Sequence, residues 1–359
     1  MGGQVSASGN FQSCGTNADW MSALCPLLWD VPLHHLSIPG MSLYNMRTFA
    51  PSKRAPFFFK SFWKTFTDVS ADGHGGVSPG SHDTMTYCLD KKLPIAQSQS
   101  WLLQLLGKVL PCITRPIMLK WSTTQVLGVT EQLDAGVRYL DLRVAHMPEG
   151  LEKNLHFVHM VYSALVEDTL KEISEWLESH PQEVVILACR DFNGLTDNLH
   201  EYLVACINNI FGDMMCPRGE VPTLNQLWTR GQQVILSYEE ASVVSQHREL
   251  WPGIPYWWGD QVKPQELIHY LEHMKRCGRP GGLFVAGINL TENLTYILAH
   301  PSESLEKMTL PNLPYLHAWV REQCPGPGVR CTNIITGDFI GVDTFVSDVI
   351  RLNDKLLRC

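Results

Sequence analysis

Gly136-Val137-Arg138-Tyr139-Leu140-Asp141-Leu142-Arg143 is the stretch that decides the fold. Side chains of a β-strand point to opposite faces in turn, so here Asp141 and Arg143 share one face while Leu140 and Leu142 share the other. A carboxylate and a guanidinium two residues apart in an apolar segment suggest a polar pocket at a strand end, because a buried charge is tolerated when it is paired and hydrogen-bonded. A ladder of ion pairs on a solvated face is the other reading of the same pattern. A helix near Thr130 to Asp134 leads into the strand, with Thr130 placed to cap it and Gly136 to stop it.

Working outward, the next strand is Leu155-His156-Phe157-Val158-His159, whose alternation puts Phe157 and His159 together and His156 opposite. A helix over Leu165 to Ser179 carries Leu170, Ile173, Trp176 and Leu177 on one side and ends at His180-Pro181. The run Glu183 to Asp191 is almost continuously apolar and ends in charge, the mark of a strand buried on both faces, paired in parallel and covered by helices. The same grammar recurs: helix Leu199 to Ile210, strand Gln233 to Ser237, helix Gln265 to Arg276, strand Leu283 to Gly287, helix Pro314 to Gln323, strand Asn333 to Phe339 and helix Val342 to Leu357. Upstream, Leu36-Ser37-Ile38 closes at Pro39-Gly40, and a helix is expected over Ser98 to Val109. No linker interrupts this alternation. It predicts an α/β fold, a single-domain TIM-like (β/α) barrel, closed or slightly irregular, over residues 20–359; an open doubly wound sheet is the alternative.

Two segments depart from that texture. Residues 1–19 are expected to be a disordered N-terminus, and Gly2 followed by Ser6 fits the loose myristoylation pattern. Residues at about 41–80 read as an insertion, longer than connections in a compact domain usually run. Lys53, Arg54, Lys60 and Lys64 there surround Phe57, Phe58, Phe59, Phe62, Trp63 and Phe66, and Pro39-Gly40 recurs as Pro79-Gly80. Aromatic rings mixed with lysines suit an anionic bilayer surface; a disordered loop is the other reading.

The totals exclude several classes. With 45% hydrophobic residues, a chain of 359 can build one large core. A net charge of -8 without a basic block argues against nucleic acid as partner. The 11 cysteines include no CxxC pair, and no secretion signal is visible, so a reducing, cytoplasmic setting is expected, with any membrane contact transient. No apolar run reaches the length of a transmembrane helix. The glycosylation patterns at Asn289 and Asn293 are therefore expected to go unused. No glycine-rich loop follows a strand, which argues against a dinucleotide or P-loop site. A monomer is expected.

In such barrels reactive groups collect at the carboxyl ends of the strands. The polar residues there are His82, Asp83, Asp141, Arg143, His159, Arg190, Ser237, Glu239 and Asp338. Two imidazoles and two guanidiniums suit phosphodiester cleavage: one imidazole takes a proton from an attacking hydroxyl, the other gives one to the leaving oxygen, and the cations neutralise the phosphoryl oxygens. Asp83, Asp141 and Asp338 could instead hold Mg²⁺ or Ca²⁺. Arg143 and Arg190 oppose an ion placed beside them, so neither a metal nor a cofactor is expected.

These residues carry a resemblance. Leu36-Ser37-Ile38-Pro39-Gly40 joined to Ser81-His82-Asp83-Thr84, then Gln132 to Arg143, then Phe157-Val158-His159, resemble the X domain of phosphatidylinositol-specific phospholipase C, from about Trp20 to the C-terminus. The similarity extends to the small vertebrate group of PI-PLC X domain-containing proteins. It implies that His82 is the general base on the inositol 2-hydroxyl and His159 the general acid toward the diacylglycerol oxygen. It further implies that Asp338 orients the base and Asp83 assists the leaving-group side. The larger signalling enzymes bind Ca²⁺ through acidic residues at the positions of Arg143 and Arg190, whereas bacterial members have an arginine matching Arg143 and need no metal. The implied reaction yields diacylglycerol and a cyclic inositol phosphate from a phosphoinositide at a membrane surface. In the family no insertion separates the glycine from the base, and a splice variant with impaired activity is one reading of the break. A phosphoinositide or headgroup-binding protein without turnover, and a metal-dependent glycerophosphodiester phosphodiesterase, remain the alternative functions.

Overall fold

The computed structural model describes residues 17–41, 119–121, 125, 127–147, 154–159, 161–292, 294–300 and 302–358, except for the side chains at 159, 161, 294, 295 and 298. The N-terminal pattern at Gly2, nearly all of the 41–80 insertion, the helix expected over Ser98 to Val109, His82 and Asp83 lie outside these residues.

Among the described residues, ten strands form one sheet. They are β1 (Ile38–Met41), β2 (Tyr139–His146), β3 (Leu155–His159), β4 (Val161–Leu165), β5 (Val185–Asn193), β6 (Val234–Tyr238), β7 (Leu250–Pro252), β8 (Tyr256–Trp257), β9 (Val285–Gly287) and β10 (Ile334–Gly337). The path β7-β6-β5-β2-β1-β10-β9-β8 is parallel throughout. β1 lies between β2 and β10, so the first and last described strands are neighbours. That adjacency makes the sheet curl on itself and removes the open doubly wound alternative. Among the described residues, β7 and β8 share no ladder, so the barrel is irregular there. β3 and β4 form an antiparallel hairpin mounted on the far end of β2.

Helices cover the outside: α1 (Val129–Ala135), α2 (Val166–Ser179), α3 (Asp197–Phe211), α4 (Leu224–Thr229), α5 (Ala241–Gln246), α6 (Pro264–Cys277), α7 (Leu294–Ala299), α8 (Leu305–Thr309), α9 (Leu313–Glu322) and α10 (Phe345–Arg351). Strand alternation sorts the apolar residues into two layers. Val185, Leu187, Val234 and Leu236 pack under the helices with Leu170, Ile173 and Leu203. Ile38, Tyr139, Ile186, Ile235, Val285 and Ile334 fill the barrel, and Trp20, Met21, Leu24, Leu28, Leu33 and Leu36 form its floor. A buried ion pair pins that floor. Arg138 Nη2 lies 2.7 Å from Glu183 Oε2, neither side chain is exposed, and Glu183 accepts the amides of Met21 and Ser22 at 3.1 and 3.2 Å.

Local chemistry explains where expected boundaries moved. Glu131 reaches back to the Gly128 amide at 2.7 Å, so α1 starts at Val129, and the Thr130 hydroxyl donates to Glu172 instead of capping. Gly136 ends α1 at φ 109, where a Cβ would meet Asn17 Cβ at 2.8 Å and Val346 Cγ1 at 2.9 Å. The last helix is shorter than expected because Asp343 Oδ1 accepts the Phe345 amide at 3.0 Å, setting its start, and a 3-10 turn over Leu352–Arg358 replaces its end. The short strands β4, β7 and β8 carry too little pattern to be read from sequence. Pro39-Gly40 lies within β1, which pairs with both neighbours there, so Pro79-Gly80 is not needed to supply that strand.

Candidate active site

The face of β2 that carries Tyr139, Asp141 and Arg143 points into the barrel, and Leu140 and Leu142 lie with the outer apolar layer, as the alternation requires. Register then assembles the mouth. Asp141 lies beside Ala188 of β5, Ala188 beside Ser237 of β6, and Arg143 beside Arg190. Asp141 is fully buried between the two guanidiniums: its Oδ2 is 3.5 Å from Arg143 Nη2 and 4.0 Å from Arg190 Nη1. Arg190 also approaches Glu239 Oε1 at 3.7 Å and lies 5.6 Å over the Tyr256 ring. Burial works against the charge on Arg190, but Asp141, Tyr139 and Glu239 outweigh it and hold the group firmly cationic.

Asp191 is the residue that sequence reading missed. In a regular strand it would face away from Arg190. The ladder between β2 and β5 shifts register after Arg143, and Asp191 adopts φ 50, in the left-handed region. The bulge turns its carboxylate onto Arg143 Nη1, and Glu239 Oε2 accepts the Asp191 amide at 2.7 Å. Burial pushes the Asp191 carboxyl up, while Arg143 opposes that shift.

Asp338 follows β10, which β1 alone separates from β2, and is buried. Asn289, after β9, donates from Nδ2 to Asp338 Oδ1 at 2.6 Å. The Tyr256 hydroxyl ties that wall together, donating to Asn289 Oδ1 at 3.0 Å and lying 2.8 Å from Thr336 Oγ1. Burial raises the Asp338 carboxyl well above its ordinary range; the Asn289 hydrogen bond opposes this and Glu292 adds to it. Asn289 is 1% exposed and bound on both sides, so the sequence that resembles a glycosylation pattern is a piece of the site wall.

The structure thus brings together Asp141, Arg143, Arg190 and Glu239, with Asp338 following β10, two places along the sheet from β2. Ser237 lies at the same level, but its hydroxyl donates to Pro252 O at 3.1 Å and accepts from the Ile254 amide at 3.2 Å, fastening β6 to the segment after β7. His159 is the last residue of β3, which pairs with β2 at Val144 and runs back toward the barrel from there. His82, Asp83 and the His159 side chain lie outside the described residues. His156, on the opposite face of β3, is occupied by Ser163 O at 2.8 Å and Asn154 Oδ1 at 3.0 Å. Among the described residues, no three His, Cys, Asp or Glu side chains gather as a metal site, and no helix is long and apolar enough to cross a membrane.

Chemically, a buried guanidinium, Arg143, and a half-buried one, Arg190, around one carboxylate form a site suited to an anionic oxygen group. The family model described as PI-PLC X 1 matches residues 119–266. PI-PLC X domain-containing protein 1 of Homo sapiens is 69% identical over 363 residues, covering 100% of both chains. Its counterpart from Mus musculus is 59% identical over 344 residues, covering 96% of this chain and 88% of that one. Among solved structures, the phosphatidylinositol-specific phospholipase C from Listeria monocytogenes superposes with a TM-score of 0.56 at 20% identity, over 94% of this chain and 99% of the other. A Staphylococcus aureus phosphatidylinositol-specific phospholipase C gives 0.60 at 14% identity, over 94% and 98%. At those identities the likeness is one of fold.

Proposed function

This chain belongs to the PI-PLC X domain-containing proteins, and from that premise we propose that it is a metal-independent phosphodiesterase that cleaves phosphatidylinositol-type lipids to diacylglycerol and a cyclic inositol phosphate. The observation that carries the reading is the pair Arg143 and Arg190, side by side in the barrel mouth and held by one buried carboxylate, Asp141. A guanidinium at this point does the work of an ion in neutralising the phosphoryl oxygens.

In the proposed reaction His82 accepts the proton of the inositol 2-hydroxyl as its oxygen bonds to phosphorus. The bond from phosphorus to the glycerol oxygen breaks, and His159 donates the proton that oxygen needs. Asp338, fixed by Asn289, orients and balances the charge on His82. Asp83 assists on the leaving-group side. Arg143 meets the phosphoryl oxygens, and Asp141 and Asp191 set its direction. Arg190 and Glu239, more exposed at the rim, hold inositol hydroxyls; Ser237 is a positioning residue for the segment after β7. The lipid is reached by peripheral contact with a membrane surface, by a monomer in the cytoplasm. No cofactor takes part in this scheme.

The test is cleavage of phosphatidylinositol vesicles by the full chain in excess chelator, with products followed by phosphorus NMR. Turnover should persist, and the first phosphorus product should be cyclic. Loss of turnover under chelation would favour the metal-dependent glycerophosphodiesterase reading. Binding of inositol phosphate with no turnover in any buffer would favour the headgroup-binding one.

A further inference from the structure

β6 ends at Tyr238, and the Glu239 amide donates to Cys189 O at 3.0 Å, so the pairing with β5 runs one residue past the strand. From that position Glu239 Oε2 accepts the Asp191 amide at 2.7 Å. Asp191 is at φ 50, a region that a non-glycine residue keeps only when its surroundings hold it there. The next residue is held from behind: the Phe192 ring stacks on Tyr238 with centroids 4.5 Å apart, and His200 Nδ1 lies 2.7 Å from the Tyr238 hydroxyl oxygen. Two consecutive residues of one strand end therefore hold the turn from both sides. The other carboxyl oxygen of Glu239, Oε1, approaches Arg190 Nη2 at 3.7 Å. Followed around the mouth, these contacts close a ring. Arg143 meets Asp141 and Asp191, Asp141 meets Arg190, Arg190 meets Glu239, and Glu239 returns to Asp191 through the amide.

We propose that Glu239 does more than line the rim: it is a positioning residue that holds the left-handed turn at Asp191 and, through the Asp191 carboxylate, fixes the guanidinium of Arg143. The inference deepens the proposed function and rests on the phosphoryl-binding role given there to Arg143. Without an acceptor for its amide, Asp191 is free to relax into ordinary strand geometry, whose alternation carries the carboxylate away from Arg143. The link between Glu239 and Asp191 joins two acidic residues, and it is a backbone N–H that makes it. Glu239 is 46% exposed, so a substitution there leaves the core in place.

The test compares Glu239→Ala with Glu239→Gln in the full-length protein on phosphatidylinositol vesicles. Glutamine keeps an oxygen for the Asp191 amide and alanine does not, while both lose the charge beside Arg190. KM should therefore rise in both, whereas kcat should fall about tenfold in Glu239→Ala and stay within about threefold of wild type in Glu239→Gln. In an Asp191→Asn background, Glu239→Ala should lower kcat hardly further, because no carboxylate is left to aim. Equal kcat in the alanine and glutamine variants, or a fall in the double variant equal to the product of the single falls, would overturn the inference. Hydrogen exchange at the Asp191 amide gives a readout that needs no turnover. The amide should be protected in wild type and Glu239→Gln and exchange freely in Glu239→Ala. Free exchange in wild type would overturn the inference, and that measurement decides alone if Glu239→Ala does not fold. A wild type without cleavage in any buffer would remove the proposed function, yet the Asp191 amide would still report on the turn, so the two failures are distinguishable.

Discussion

Asp191 and Arg143 meet inside the barrel although they come from neighbouring strands whose regular pleat would keep them on opposite faces. A one-residue shift in the β2–β5 ladder and a left-handed backbone at Asp191 make the contact. A non-glycine residue at positive φ costs of order 1 kcal/mol or more, and such outliers gather at working sites. Here the outlier gives Arg143 a second carboxylate besides Asp141, so its fork is fixed from two sides.

Asp191→Asn tests that arrangement. Asparagine tolerates the left-handed region, so the fold should survive. With one of two orienting charges gone, kcat/KM on phosphatidylinositol vesicles should fall about tenfold, mostly in kcat, since misplacement of about 1 Å can cost a hundredfold. Arg143→Lys, which keeps the charge and loses the fork, should fall further, by about a hundredfold or more.

The floor of the barrel gives a stability prediction. Arg138→Met leaves Glu183 buried with its charge unmatched, and urea unfolding should show a loss of about 3–5 kcal/mol. Replacing both, as Arg138→Met with Glu183→Leu, should cost less than the single change. The four backbone carbonyls that Arg138 serves, those of Leu133, Val137, Asn17 and Ala18, would still lose their donor.

Gly287→Ala probes the wall formed by β8, β9 and β10. A Cβ there would fall 2.3 Å from the Tyr256 hydroxyl oxygen and 2.7 Å from its ring, so the tyrosine must move. It would then leave Asn289 and Thr336, loosening the donor that Asp338 depends on. Overpacking of this kind costs about 1–3 kcal/mol, and kcat should drop with the melting temperature.

Stability should also carry the signature of Glu292. Its carboxyl is raised from 4.5 to about 8 on folding, so between those values the folded chain holds a proton that the unfolded chain has released. Stability from this group is therefore complete below the lower value and declines as pH rises toward the upper one, by about 1.4 kcal/mol per pH unit. Glu292→Gln should remove that slope. In parallel urea titrations its stability relative to wild type should grow between about pH 5 and pH 8.

Much of this was legible in the chain. The alternation from Tyr139 to Arg143 placed two charges in the barrel, and the unbroken apolar runs at Val185 and Val234 announced parallel strands under helices. Patterns of period two and 3.6 are local, and a core enforces them. Asp191 was not legible as a site residue, because a bulge reverses the facing that alternation predicts. Tyr256 lies in a strand of two residues, too short to show a period. Asn289 follows a strand in a stretch without repeat, and only the parallel register of β9 and β10 brings it beside Asp338.

In the proposed reaction Arg143 neutralises the phosphoryl group without an ion. The measurement is cleavage of phosphatidylinositol vesicles by wild type and Arg143→Ala in excess chelator, with and without added guanidinium. Wild type should keep full turnover, and the variant should lose about a hundredfold or more, partly restored by guanidinium. Wild-type turnover abolished by the chelator, or a variant as fast as wild type, would contradict it.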